Sequence, residues 1–505
     1  MKKLNVFSFV LALVLALSTL VIGVSAADGI AKSDNVVFVA NAGNDSNAGT
    51  ADAPVATLQK AVEKLAANGG VIVVMGQVTI EPTTNVMPTH SGVITVTSFY
   101  DGVDYRAQRY GSDATCARLI FNQGSANAFA FQGDYVFDYI DFCVPSAAKK
   151  SPAIAGYWNN ATFGANIKTV YEGIDGVEWF DRSFNDYVDT NKRNYAPYYI
   201  AGQNSSNIGI EGDYVITDDV VLNFAGGDWM SVRIGDRDIV MRNTVDCNVT
   251  LNISGGSYAY WTGNYNNGSA TNLSVMGTYQ ISTGEKFVGN INITGGDFYG
   301  EISAFGNVGT AGKPNGDCTQ NGVINVNVLG GTFYRDRDAK GPQLVASQFA
   351  PGSFANLTYG AKSAVNFNID ASKITLEGAV PVLTVLGKDG VNTFVNVTEK
   401  SDKVVIDASV AEANVKYGPL AGETPVTTEP VVTTEAVVTT EAVVTTAAVV
   451  DTTAATVDTT AAVVDTTAAT GEVTPPTGDG SLLAVFAAAA AVCLGAVVVI
   501  KRKEN

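Results

Sequence analysis

The chain has 505 residues, and 49 Asp and Glu against 31 Lys and Arg give it a formal net charge of −18. This charge excludes a protein that binds nucleic acid through a basic surface. The one histidine, His90, excludes a zinc site built from several imidazoles, and any catalytic triad with a histidine would have to use it.

The first 26 residues have the features of a secretory signal peptide. Lys2 and Lys3 precede a mostly apolar run over residues 6–22, and small residues follow as far as Ala26. This order of a basic start, an apolar stretch and a small-residue site predicts export and cleavage after Ala26. We therefore expect the mature chain to lie outside the cell membrane.

A short helix is predicted near the start of the mature chain. Within residues 57–67 the apolar side chains follow the i, i+3, i+4, i+7 spacing of an amphipathic helix, at Leu58, Ala61, Val62 and Leu65. Residues 68–70, Asn-Gly-Gly, would end this helix, and the apolar run 71–74 is typical of a strand. We expect the helix to cover one end of a stack of strands.

Residues 36–100 contain a series of segments that match a known family. They are V-F-V at 37–39, G-N-D-S-N-A-G-T at 43–50, Pro54, Thr57-Leu58, Ala61, G-G-V-I-V at 69–73 and I-T-V-T-S at 94–98. Together they resemble the opening of pectin-lyase-like right-handed parallel β-helix proteins. The resemblance implies a fold but no single activity, because the same scaffold carries lyases, hydrolases, adhesins and phage tailspikes.

Two polar features lie in this region. Asn44, Asp45 and Asn47 offer oxygen ligands that could hold Ca²⁺, and Asx turns account for the same residues equally well. Both interpretations stay open. His90 lies in the turn at residues 88–91, where we expect it to be exposed to solvent.

Residues 149–205 are predicted to form an aromatic-rich insertion, because they show little alternation of polar and apolar residues. Long insertions in solenoids form loops on one face, often the binding face. Exposed aromatic rings stack on sugars or anchor protein partners, whereas a packed mini-domain would use the same rings as its core. The predicted binding residues are Trp158, Trp179, Phe180, Tyr187, Tyr198 and Tyr199, with Trp261 further along the chain.

Residues 27–422 contain an internal repeat rather than the three domains of about 150 residues that the length suggests. Asn-x-x-Gly-Gly units begin at Asn223, Asn252, Asn292 and Asn327, with a degenerate copy at Asn368, at steps of 29, 40, 35 and 41 residues. Polar and apolar residues alternate around each unit, which predicts short strands, and Gly-Gly favours sharp turns. Short strands at unequal spacing favour an all-β solenoid of stacked coils.

Two acidic and basic clusters follow Gly-Gly units. The resemblance to pectate lyases implies a Ca²⁺ site of carboxylates beside an Arg or Lys that removes the proton α to a uronate carboxylate. The weak catalytic candidates are Asp236, Arg237, Asp238, Asp336, Arg337 and Asp338. Surface ion pairs at turns are the alternative. Asp218 and Asp219 form a carboxylate pair of the kind that hydrolysis needs, but the Gly-His-Gly segment of polygalacturonases is not in the sequence.

Five cysteines leave two interpretations open. Cys493 lies in the apolar C-terminal run, and the other four are Cys116, Cys143, Cys247 and Cys318. An even number in an oxidising compartment allows disulfides in three pairings. Buried thiols stacked between coils are the alternative.

The C-terminal region is predicted to hold the protein at the cell surface. Residues 423–473 repeat Thr, Val, Ala and acidic residues. They predict a disordered stalk with an r.m.s. span of about 40 Å. Residues 482–500 carry no charge and precede a basic tail, which predicts a transmembrane helix with its tail in the cytoplasm.

A short motif precedes that apolar run. Residues 474–478 read T-P-P-T-G and resemble the L-P-x-T-G cell-wall sorting signal of Gram-positive surface proteins. Pro475, Thr477 and Gly478 match the signal, and Thr474 stands where the family has Leu. The resemblance implies that a sortase cuts between Thr477 and Gly478 within residues 474–505. A retained single-pass membrane anchor is the alternative.

The sequence thus predicts an all-β, right-handed parallel β-helix with a capping helix, a stalk and a membrane anchor. We expect a monomeric adhesin or carbohydrate-binding structural protein on the extracellular face of the membrane or in the wall. Its partners would be a sortase and a polysaccharide or host-matrix ligand, with no nucleic acid. A Ca²⁺-dependent polysaccharide lyase is the alternative.

Overall fold

The computed structural model describes residues 29–420 except 84, 123–127, 146–151, 173–195, 203–213, 237–242, 260–261, 266–268, 273–275, 280, 300, 308–316, 335–341, 350–355 and 378–381. All described residues belong to one compact unit, residues 1–427, and residues 428–505 form a second unit outside the described range. The described part is all-β with very few helices, and its strands build long parallel sheets.

A long sheet of twelve strands runs through the described unit. In sheet order its strands are β1 (Val36–Val39), β2 (Gly70–Val74), β4 (Val93–Thr97), β9 (Asp134–Phe137), β12 (Ala161–Phe163), β16 (Val220–Phe224), β20 (Asn248–Ile253), β26 (Val288–Ile293), β30 (Val323–Val328), β34 (Ala364–Ile369), β37 (Asn392–Val397) and β39 (Val415–Tyr417). Sheet order therefore follows chain order from one end to the other.

A second sheet has nine strands and the same direction of growth. They are β8 (Phe129–Ala130), β11 (Ala153–Ala155), β14 (Tyr198–Ile200), β18 (Ser231–Gly235), β24 (Met276–Tyr279), β28 (Ile302–Asn307), β32 (Gln343–Phe349), β36 (Leu383–Leu386) and β38 (Val404–Ile406). We call these the long sheet and the second sheet.

Shorter sheets fill the remaining sides. One has β3 (Gln77–Ile80), β7 (Arg118–Phe121), β10 (Asp141–Cys143) and β13 (Lys168–Val170), and another has β17 (Asp228–Trp229), β21 (Ser257–Ala259), β27 (Asp297–Tyr299), β31 (Thr332–Tyr334) and β35 (Thr375–Glu377). The smallest contain β15 (Val215–Ile216), β19 (Thr244–Val245) and β25 (Ser282–Thr283), and the pair β29 (Asp317–Gln320) and β33 (Asn356–Tyr359). Two antiparallel hairpins are β5 (Phe99–Tyr100) with β6 (Val103–Asp104), and β22 (Thr262–Tyr265) with β23 (Ser269–Asn272).

The chain visits these sheets in a repeating order. From β26 it passes to β27, then to β28 and β29, and returns to the long sheet at β30, which pairs in parallel with β26. We call one such passage a coil. This path is compatible with a β-helix or another solenoid, and parallel pairing of successive coils confirms the predicted stacking of strand on strand.

The repeat units stack in register, as the sequence predicts. Asn223 pairs with Asn252, Asn252 with Asn292, Asn292 with Asn327 and Asn327 with Asn368. The unequal steps of the repeat therefore fall in the connections, while the strands themselves remain aligned.

The predicted helix is confirmed as α1 (Leu58–Leu65), which buries Leu58, Ala61, Val62 and Leu65. The Thr57 side chain accepts a hydrogen bond from the Lys60 backbone N–H at 3.2 Å, which satisfies a free donor at the helix start. The apolar face of α1 joins the same core as Val37 and Val39 of β1, the outermost strand of the long sheet. The only other helices in the described ranges are 3₁₀ turns at Tyr105–Ala107 and Glu412–Asn414.

Inward-facing side chains of successive coils stack in the core. The rings of Phe137 and Phe163 stack at 5.3 Å, and those of Phe163 and Phe224 at 4.8 Å. Further along, Phe298 stacks on Tyr258 at 5.2 Å. The first two contacts join strands of the long sheet, and the third joins β21 to β27 of a shorter sheet. Alternation in the strands thus produces apolar stacks along separate sheets, as expected for strands with one buried face.

The predicted terminal segments lie outside the described residues. They are the signal peptide with its cleavage site at Ala26, the stalk, and the sorting signal with Pro475, Thr477 and Gly478. Residues 482–500, the predicted membrane span, are also outside. No helix within the described part has the length and apolar character needed to cross a bilayer.

Candidate functional site

Three neighbouring coils leave the second sheet at one corner. Gly156 follows β11, Gly202 lies two residues after β14, and Asp236 follows β18. Backbone hydrogen bonds stack them, because the Gly156 N–H donates to the Ile200 carbonyl at 2.9 Å and the Gly202 N–H to the Gly235 carbonyl at 2.8 Å. We call this place the β11–β14–β18 corner.

A strained turn presents Trp158 at this corner. Tyr157 and Trp158 both have left-handed backbone conformations, with φ of 48° and 61°. The Asn159 amide braces the turn by donating to the Gly156 carbonyl at 2.9 Å and to the Tyr157 carbonyl at 3.1 Å. The backbone N–H of Trp158 also donates to the Ala201 carbonyl at 2.7 Å. Two successive aromatic residues in this conformation cost free energy, and such strain concentrates at functional sites.

Two glycines let the side chains of the corner approach closely. A Cβ on Gly202 would lie 2.1 Å from Asp236 Oδ1 and 2.9 Å from Trp158 Cζ2. A Cβ on Gly156 would lie 2.1 Å from Tyr199 Oη. The corner therefore brings together three residues that the sequence singled out separately, Trp158 and Tyr199 as binding residues and Asp236 as a catalytic candidate.

Buried polar groups line the inner side of the corner. Asp236 and Asn243 have no exposed surface, and the Asn243 amide nitrogen donates to Asp236 Oδ2 at 2.6 Å. Trp158 Nε1, Tyr199 Oη and Asn243 Oδ1 are buried and have no hydrogen-bond partner among the described residues. Burial raises the pKa of Tyr199, so its phenol stays neutral and keeps a proton to donate. Trp158 is half-buried, so part of its side chain is exposed to solvent.

The two predicted tyrosines of β14 are both buried. Tyr199 points into the core, where its ring lies 5.5 Å from that of Phe163. Tyr198 faces the other way, and the Arg233 guanidinium lies 4.9 Å from its ring centre. These rings show no open stacking face, in line with the interpretation of this segment as packed structure, whereas Trp158 keeps partial exposure.

Most of the other predicted site residues lie outside the described part of the chain. They are the binding candidates Trp179, Phe180, Tyr187 and Trp261 and the catalytic candidates Arg237, Asp238, Asp336, Arg337 and Asp338.

The described residues next to the two catalytic clusters lie at opposite strand ends of the second sheet. Asp236 follows the carboxyl end of β18, while Pro342 precedes the amino end of β32 in the same parallel sheet. Lyase activity stays a prediction.

The carboxylate pair and one cysteine lie on another side of the coils. Asp219 accepts hydrogen bonds from the backbone N–H and the side-chain amide of Asn248, both at 2.9 Å. Burial and the nearby carboxylates of Asp219, Asp218 and Asp246 raise the pKa of Cys247 to about 12. This thiol is therefore protonated and inert, and Asp219 serves to align neighbouring coils.

The side chains of the predicted Ca²⁺ loop are engaged in hydrogen bonds within the protein. Asp45 Oδ1 accepts from the backbone N–H groups of Ala56 and Thr57 at 2.8 and 2.9 Å, and its Oδ2 accepts from the Thr57 hydroxyl at 2.9 Å. Asn44 Oδ1 accepts from the Ser46 N–H at 2.9 Å in an Asx turn, and the Asn47 amide donates to the Pro54 carbonyl. Asp45 thus secures the start of α1. Within the described ranges no group of three His, Cys, Asp or Glu side chains is placed to hold a metal.

The expectation that His90 is exposed is wrong. Only 8% of His90 is exposed, and its ring packs edge-on against Tyr135 with 4.8 Å between ring centres. His90 Nδ1 lies 3.1 Å from the Gly92 carbonyl oxygen. The turn folds back onto the next coil, and Gly133 leaves room for the ring there.

Three of the cysteines are free thiols. Cys143 and Cys247 are buried and Cys116 is half-buried. The Cys318 side chain lies outside the described set. For the three described residues the structure therefore has thiols rather than disulfides.

Sequence reasoning missed Asn243, Tyr157 and the two glycines of the corner. Gly156 and Gly202 each follow a short apolar run at the end of a strand, and Gly156 and Asn159, both turn-forming residues, flank the aromatic pair. Those signals could have identified a turn, but the left-handed backbone of Tyr157 and Trp158 has no signal in the sequence. The partnership of Asn243 with Asp236 has no local signal, because it depends on which coils stack.

Comparison of the chain with protein-family models, with curated proteins and with solved structures finds no match in any of the three.

Proposed function

We propose that this chain is a cell-surface-anchored parallel β-helix protein that binds carbohydrate as an adhesin or structural protein, and that the β11–β14–β18 corner is its binding site. The observation that carries the proposal is the strained turn at Tyr157 and Trp158, which holds a half-buried indole close to Gly202 and the buried carboxylate of Asp236. Aromatic faces stack on sugar rings, and a few fixed polar groups give such sites specificity.

A right-handed β-helix of the pectin-lyase-like kind is the finer fold in this proposal. Parallel strands joined by crossovers within one sheet are right-handed in about 98% of cases. The parallel long sheet and the segments at residues 36–100 support it.

Export and anchoring are part of the proposal. The support is the signal-like residues 1–26 and the T-P-P-T-G motif before residues 482–500. Mass spectrometry of protein from the cell surface should find an N-terminus at Ala27 and a C-terminus at Thr477 linked to wall material. A C-terminus at Asn505 would instead identify a retained membrane anchor.

Glycan-array binding tests the carbohydrate proposal. Trp158→Ala should weaken binding to the best glycan by about tenfold or more, because the stacking surface is lost. Tyr417→Ala is the matched control, since Tyr417 is 49% exposed and lies in the last strand of the long sheet. Equal binding by the wild type and Trp158→Ala would overturn this site. Release of unsaturated uronides with Ca²⁺ would point to a lyase instead.

A further inference from the structure

We propose that Tyr299 and Tyr334 form a site of oxidative modification, at which their phenols couple to dityrosine and join two neighbouring coils by a covalent bond. The observation behind this inference is the closeness of the two rings. They stack face to face, with 4.2 Å between their centres and 15° between their planes. The inference goes beyond carbohydrate binding and does not depend on it.

The fold brings the two tyrosines together. β27 and β31 are adjacent parallel strands of the five-stranded sheet, in which Phe298 pairs with Phe333. Tyr299 and Tyr334 each come one residue later, so they lie side by side on the face opposite these two buried rings. The phenylalanines stack at 5.1 Å in the core, so the tyrosine rings are closer to each other than the core rings beneath them.

The surroundings of the pair favour the loss of an electron and a proton from a phenol. A hydrogen bond joins the two hydroxyl groups, and the carboxylate of Asp297 interacts electrostatically with both tyrosines. A negative charge nearby stabilises the positive charge that develops on a ring as it loses an electron. Burial raises the pKa of Asp297, which makes its carboxylate a better acceptor for the proton that leaves.

Tyr334 gives an oxidant access to the pair. Its side chain is half-buried, whereas only 6% of Tyr299 is exposed. A one-electron oxidant therefore reaches Tyr334 first. The hydrogen bond between the hydroxyl groups lets the radical pass to Tyr299, after which Tyr334 can be oxidised a second time. Two phenoxyl radicals then lie at stacking distance, where they meet each other before they meet another molecule.

The coupling consumes one molecule of hydrogen peroxide, with a haem peroxidase as the catalyst. Each phenol gives up one electron and one proton, and a carbon–carbon bond forms between the ring carbons ortho to the hydroxyl groups. The hydrogens on those carbons move to the oxygens and restore both phenols. The two electrons and two protons reduce the peroxide to two molecules of water. The three described cysteines are free thiols, so none of them already links the coils.

Peroxidase treatment of the full chain in detergent micelles tests this inference. The monomer is isolated by size-exclusion chromatography and measured for dityrosine fluorescence. Cleavage before aspartate then separates the two tyrosines into peptides 297–316 and 317–335. We expect mass spectrometry to find these peptides joined, with the loss of two hydrogen atoms. The treated monomer should also unfold at a higher urea concentration, because the new bond constrains the unfolded chain.

Tyr334→Phe is the test variant, since it keeps the stacked ring but removes the phenol. It should lose the joined peptides and the dityrosine fluorescence of the monomer, and peroxidase treatment should leave its urea midpoint unchanged. Tyr417→Phe is the matched control, because Tyr417 is 49% exposed and lies in a different sheet. That variant should couple Tyr299 to Tyr334 like the wild type.

Free tyrosine in a parallel reaction shows that the oxidant is active. If free tyrosine couples and the wild-type monomer yields no joined peptides, the inference is overturned. Monomer fluorescence that Tyr334→Phe leaves unchanged would place the coupling elsewhere and would also overturn it. Neither result bears on the glycan-array experiment, so the proposed carbohydrate binding stands or falls separately.

Discussion

Each glycine of the Gly-Gly units meets a different physical requirement. The second glycine has a left-handed backbone, with φ of 80° at Gly227 and 98° at Gly296. The first glycine lies against the preceding coil, and a Cβ on Gly295 would be 2.4 Å from the Ser254 carbonyl oxygen. The sequence predicted the turn conformation, whereas the close approach depends on the stacking of coils.

Gly295→Ala should therefore destabilise the protein through a steric clash. The clash is with backbone, which cannot rotate away, so we expect a loss of about 1–3 kcal/mol in the free energy of unfolding by urea. Gly102→Ala is the control, because Gly102 has φ of 77° and no atom within 4 Å of the added Cβ. It should cost about 1 kcal/mol, from backbone strain alone. A smaller loss for Gly295→Ala than for Gly102→Ala would contradict the steric explanation.

His90 should make stability depend on pH. Burial lowers its pKa in the folded state below the ordinary value of 6.5, so the unfolded chain binds a proton more readily. Stability should then fall as pH drops below about 6.5 towards the lowered folded pKa. His90→Gln should show a shallower slope of urea midpoint against pH between 7 and 5. Parallel slopes for the two proteins would show that His90 does not contribute.

Asparagine side chains form a ladder along the outer face of the long sheet. Each amide nitrogen donates to the amide oxygen of the preceding coil, from Asn252 to Asn223 at 2.8 Å and on to the last rung, where Asn396 donates to Asn368 at 2.9 Å. All these bonds point the same way, so their dipoles add. Lys416 is in register after Asn396, at the carbonyl end of the ladder, where a positive charge is favourable.

Removing an asparagine from the middle of the ladder should lower the free energy of unfolding more than removing the last one. Asn292 is 6% exposed and bonds both neighbours, so Asn292→Ala leaves two polar groups unpaired and should cost about 2–3 kcal/mol. Asn396→Ala loses the bond to Asn368 at a half-buried position and should cost about 1 kcal/mol. Urea unfolding of both variants measures the difference. Equal losses would show that the ladder gives no added support to its inner rungs.

The sequence predicted the elements with clear periodicity and missed those without it. Period-two strands such as β20 and the 3.6-period helix α1 appear where expected. Within residues 149–205, β11, β12, β13 and β14 have only three residues each, which is too short for alternation to be visible. The corner could not be predicted, because Trp158, Gly202 and Asp236 are joined only by the stacking of unequal coils.

At the scale of the whole described unit, a stack of parallel strands has two ends that must be protected from water and from pairing with other chains. At the N-terminal end, α1 packs its apolar face on the core beside β1, and Val62 has no exposed surface. Val62→Asp should place an unpaired charge there and lower the free energy of unfolding by about 3 kcal/mol or more. The displaced helix would also expose the apolar end of the core, so light scattering during size-exclusion chromatography should detect self-association. Lys60→Ala on the solvent side of α1 is the control and should remain monomeric with an unchanged urea midpoint, because its ion pair with Glu63 is exposed. A monomeric, fully stable Val62→Asp protein would show that α1 is not the cap of this end.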